Sequence, residues 1–103
     1  MKIPEDLLLG LPAEQHIREG LADIENDRES VAACLVRIAS PRLLKAGILK
    51  SPPQPTEQDA ELTLYELLKP KGKRAYPLYN SLLRELVSFE QALDHRLKET
   101  NLP

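Results

Sequence analysis

Apolar residues recur along this chain at helical rather than strand spacing. Positions 17, 21, 24, 28, 31, 35 and 38 step alternately by four and three and carry Ile, Leu, Ile, Arg, Val, Leu and Ile, a heptad seam with one charged fault. The seam predicts a helix over 12–39, opened by Pro12, since proline is tolerated in a first helical turn. Gly20 is its weak point, costing about 1 kcal/mol relative to Ala. Ser40-Pro41 reads as a cap and a restart, predicting a short helix over 41–46 that Gly47 ends in a left-handed conformation. Three prolines within residues 51–55 remove N–H donors and push their predecessors towards extended geometry, so this stretch is a stiff linker.

Beyond the linker, Thr56 is placed to cap a helix over 57–68 with acids in its first turn, where the helix dipole favours them. Ala60, Leu64, Leu67 and Leu68 share one face of that helix. Leu62 and Tyr65 fall on the other side of the wheel, so the helix is either sandwiched or leaves an apolar strip for a partner. Pro77 opens the last helix, over 77–99, with Tyr79, Leu82, Leu83, Leu86, Phe89, Leu93 and Leu97 on its apolar face. A short amphipathic start is expected at 4–9.

These elements predict an all-α fold: one domain over 1–103, a small helical bundle of two long antiparallel helices with shorter helices at 41–46 and 57–68. Each long helix carries one charge in mid-stripe, Arg28 and Glu90. Setting them opposite each other places Leu21 near Leu97, Ile24 near Leu93, Val31 near Val87, Leu35 near Leu83 and Ile38 near Tyr79. The pair would fix register more than it adds stability. The alternative is that Arg28 receives a ligand carboxylate or phosphate with its forked donors.

Composition agrees with helices. Three Tyr, one Phe and no Trp leave little to build a sheet with. The net charge of −2 is distributed in blocks. Residues 31–54 carry four bases and no acid, 55–68 four acids and no base, and 69–76 four bases and no acid. Cys34 is the only cysteine, so neither an internal disulfide nor a thiolate metal cluster can form within one chain, and a reducing cytoplasmic compartment is expected. The apolar run at 7–11 is far shorter than the roughly 20 residues that span a bilayer.

The densest chemical signal is the basic run over 69–76. Lys69, Lys71, Lys73 and Arg74 lead into a helix start beside Tyr76, where phosphate groups or stacked bases could be received. His16 and His95 belong to no metal-ligand spacing, and no acid pair is set apart for acid–base work. The flanks of Cys34 are those of a buried thiol rather than a reactive one. With neither cofactor nor metal implied, the expected role is a non-enzymatic protein-interaction or assembly module, binding another protein or a second copy. Leu62 and Tyr65 are its partner-facing candidates. The alternative is nucleic-acid or phosphoryl-ligand binding through 69–76.

Overall fold

The computed structural model describes residues 7–100 as an all-helical bundle: α1 (Glu14–Glu25), α2 (Val31–Lys45), α3 (Ala60–Leu68), a 3-10 segment (Lys69–Arg74) and α4 (Ala75–Thr100). No strand occurs among the described residues. The start expected at 4–9 lies partly outside them; of it, Leu7 and Leu8 are buried and Leu9 is exposed. Packing joins α1 to α2, α2 to both α3 and α4, and α3 to α4.

The helix expected over 12–39 is two helices. Residues 26–30 end one and begin the next through paired local bonds. The Arg28 N–H reaches the Asp23 carbonyl at 2.7 Å and the Asp27 N–H reaches that of Ile24 at 3.1 Å, with Asp27 left-handed at φ 57°. Together these form a Schellman end with Asp in the place glycine usually takes. The Asn26 side chain donates to the Ala22 carbonyl at 2.9 Å. Ser30 then caps α2, accepting from the Ala33 N–H at 3.0 Å and donating to Asp23 Oδ2 at 2.6 Å, which ties the two helices together at the turn.

The turn lets α1 and α2 pack on each other, and Gly20 allows their close approach. A Cβ there would lie 2.2 Å from the Ala32 carbonyl oxygen and 2.5 Å from Val36 Cγ2. The residue that weakens the helix locally is therefore required by the packing. At the other end, α2 continues through Pro41 instead of restarting. Ala39 and Leu43, both fully buried, hold it in place across the lost backbone bond. Gly47, at φ 78°, ends α2 as expected, with Ile48 and Gly47 donating to the Leu43 and Leu44 carbonyls at 3.0 and 3.1 Å.

The core is built from Leu8, Leu11, Ile17 and Leu21 of the first segment, the Cys34–Val36–Ala39–Leu43 side of α2, Ile48, Leu64, Leu68, and Leu82, Leu86, Phe89 and Leu93 of α4. The apolar stripe expected on the last helix is thus the one it buries. The expected register is not found. Opposing 28 to 90 would set Arg42 against residue 76, but Arg42 pairs with Asp94, about 27 Å farther along α4. Val87, assigned to Val31, is 50% exposed. Arg28 lies in the exposed turn and forms no ion pair with Glu90 among the described residues. Once the seam breaks at 26–30, position 28 no longer belongs to any stripe.

Arg42 supplies the cation facing Glu90. Burial raises the Glu90 carboxyl above its usual range, Arg42 opposes that rise and Asp94 adds to it. A second arginine secures the chain start: Arg96 Nη1 donates to the Leu7 carbonyl at 3.1 Å and the Leu9 carbonyl at 2.5 Å. Nearby, the Gly10 N–H donates to Glu14 Oε1 at 2.9 Å. That bond, then Arg18, holds the Glu14 carboxyl below its usual range.

Candidate interaction surface

The partner-facing and basic candidates lie on one connected stretch, where α3 turns through the 3-10 segment into α4, whereas Arg28 and Glu90 lie elsewhere. Helix α3 begins at Ala60 rather than 57, because the Thr56 hydroxyl turns to the Gln58 carbonyl at 2.7 Å instead of capping. Asp59 takes the N-cap position, its carbonyl accepting the Thr63 N–H at 3.0 Å. Leu64 and Leu68 are buried against the core, which leaves Leu62 on the opposite face, 51% exposed. Tyr65, half-buried, points to α4, where its ring meets that of Tyr79 edge-on at 5.5 Å.

The basic run is not a loop but a 3-10 turn kinked at Gly72, whose φ of 66° and ψ of −128° suit a residue without a Cβ. It leads into α4 two residues before Pro77, which therefore falls in the first helical turn, where its missing N–H costs least. Tyr76, on the first turn, is 62% exposed and stacks on Tyr79 with centroids 6.5 Å apart. Tyr65, Tyr79 and Tyr76 thus form one ridge of ring contacts across two helices, with Leu62 one helical turn before Tyr65 on α3. Partial burial, with Glu61 and Asp59 close by, raises the Tyr79 hydroxyl above its ordinary range.

Charge on this surface is unevenly satisfied. Lys69 bonds to Glu66 at 2.9 Å, and that hydrogen bond holds its ammonium above the usual range. Lys71, Lys73 and Arg74 have no ion-pair partner among the described residues, and with Pro77 and Leu78 they line an open cleft of about 460 Å³. Glu57, Asp59 and Glu61 are exposed at the other end of α3 and are likewise without an ion-pair partner among the described residues.

Other candidate groups lie elsewhere. His16 sits 3.6 Å from Glu85, and His95 3.6 Å from Glu99. No cluster of three or more His, Cys, Asp or Glu fit to hold a metal ion occurs among the described residues. Cys34 is fully buried, and burial pushes its thiol up to about 11, with Glu29 adding to the rise. No helix among the described residues is long and apolar enough to cross a membrane. The sequence offered Arg42, with Arg37 and Lys45, as an assistant to the basic run, but Arg42 pairs with Asp94 instead; Asp94 and Arg96 were not singled out, since each belongs to the polar side of an amphipathic helix and only the observed register gives it a partner. Comparison with known protein families, curated proteins and solved structures gives no match.

Proposed function

We propose that this chain is a non-enzymatic helical module that binds another protein through the ridge shared by α3 and α4. The observation that carries the reading is the exposure of Leu62 and Tyr76 at the two ends of the Tyr65–Tyr79 contact. A lone exposed leucine is ordinary. A leucine one helical turn from a ridge of three tyrosines, beside an unpaired arginine, has the residue types from which interface hot spots are drawn. Catalysis gains little support, since the one cysteine of the chain is buried away from this ridge and burial pushes its thiol up to about 11. That lone buried thiol also supports a reducing, cytoplasmic setting.

The test is capture of tagged wild-type and Leu62→Glu protein from native lysate, each with and without nuclease. The expected result is a co-purified protein that survives nuclease and is lost from the variant. A second reading, nucleic-acid or phosphoryl-ligand binding at 69–76, is favoured by the three unpaired cations around the cleft. It predicts nuclease-sensitive recovery that falls steeply with salt. Recovery indifferent to both nuclease and the substitution would refute both readings.

A further inference from the structure

Helix α3 carries opposite unpaired charges at its two ends, with an apolar centre between them. Asp59 and Glu61 are exposed at the start, Lys71 and Lys73 just past the end, and Leu62 and Tyr65 lie between. For Asp59 and Lys71 the spacing is nearly symmetric. With 1.5 Å per α-helical and 2.0 Å per 3-10 residue, Asp59 lies about 9 Å and Lys71 about 10 Å along the axis from Tyr65. A surface of this kind is its own complement. Turned through 180° about an axis near Tyr65, its acids face the bases of the other copy, its bases face that copy's acids, and Leu62 lies against the same ridge.

We infer that the partner on this face is a second copy of the chain, docked with the two α3 helices antiparallel across a two-fold axis. The inference rests on the proposed protein-binding role of the ridge and names its occupant. It explains why Asp59, Glu61, Lys71 and Lys73 have no ion-pair partner among the described residues, although Lys69 and Glu66 of the same blocks pair with each other: the four unpaired charges complete one another only between protomers. It also accounts for the exposed Leu62 and Tyr76, which such an interface would cover. Complementary charges of this sort set orientation and exclude wrong pairings more than they add affinity, so the apolar ridge supplies the attraction and the charges fix the antiparallel sense.

The experiment is sedimentation of the full chain over a concentration series, for wild type, for Asp59→Lys/Glu61→Lys, and for Lys71→Glu/Lys73→Glu. All four positions are exposed, and far-UV circular dichroism checks that each variant is folded. The expected result is a wild-type dimer, with dissociation constants about a hundredfold weaker for each variant alone. An equimolar mixture of the two variants should recover near wild-type affinity, because both charge contacts are restored in the mixed dimer. That recovery cannot arise from unfolded chains. A monomeric wild type overturns the inference, as does a dimer that either charge reversal leaves intact, or a mixture that fails to recover. A monomeric wild type that still loses a different captured protein on Leu62→Glu overturns the self-association alone and leaves the protein-binding role standing. A monomer that binds a single-stranded oligonucleotide through Lys71 and Lys73 overturns it in favour of the phosphate reading.

Discussion

Gly20→Ala sets local helix propensity directly against packing. Propensity alone predicts a gain of about 0.8–1.0 kcal/mol, because alanine loses less backbone freedom in a helix. The packing predicts the opposite. The new methyl group would stand 2.2 Å from the Ala32 carbonyl oxygen, a backbone atom, and 2.5 Å from Val36 Cγ2. The Val36 side chain can turn aside, but the carbonyl cannot move without its helix, so α1 and α2 must part by about 1 Å. A gap of that size forfeits a quarter to a half of the dispersion attraction along the contact, and overpacking typically costs about 1–3 kcal/mol. Because the nearest obstacle is backbone, the cost falls in the upper part of that range, about 2–3 kcal/mol, and subtracting the propensity gain leaves a net loss of about 1–2 kcal/mol. For a domain of this size that lowers Tm by about 5–15 °C. Urea and thermal unfolding followed by far-UV circular dichroism measure it. A variant as stable as wild type, or more stable, would refute the close α1–α2 approach and restore the uninterrupted helix that the heptad spacing suggests.

Three further outcomes follow from the charges and the thiol. Arg28→Ala, in the exposed turn, should change stability by less than about 0.5 kcal/mol, whereas a double-mutant cycle on Arg42 and Asp94 should return a favourable coupling of up to about 1 kcal/mol; the reverse ranking would reinstate the 28–90 register. Because burial raises the Glu90 carboxyl, the folded chain holds that proton more tightly than the unfolded chain. Its stabilising contribution is full below the unfolded carboxylate range and is lost as pH rises through the folded value. Glu90→Gln should therefore flatten the decline in urea midpoint as pH rises out of the ordinary carboxylate range, and a steeper decline would contradict this. With the Cys34 thiol pushed up to about 11, a thiol reagent at about pH 8 should label the folded chain at least about a hundredfold more slowly than the chain in urea; equal rates would mean the thiol is accessible.

Much of the fold was legible because burial follows local periodicity. Leu82, Leu86, Phe89 and Leu93 were assigned to one face by spacing and are buried together, and Leu62 was placed on the open side of α3 by the same logic. The basic run at 69–76 was equally visible. What periodicity could not reveal was where a continuous pattern stops. Residues 17–38 keep their heptad phase across a turn, and the polar run 26–30 that breaks them carries capping groups, Asn26 and Ser30, whose bonds compete with helix continuation. Register was lost with that break, since a charge is informative about pairing only if it belongs to the stripe. Arg42 and Asp94 sit among ordinary polar positions, and only the tertiary arrangement makes them partners.

The most direct measurement of the central claim is site-specific photo-cross-linking in living cells, with a photoreactive residue at position 62 and, as a control, at Gln91, which is exposed on α4 away from the ridge. The account predicts a discrete protein adduct from position 62 and none of the same mass from position 91. No adduct from position 62, or the same adduct from both, would contradict an interaction surface formed by Leu62, Tyr65, Tyr79 and Tyr76.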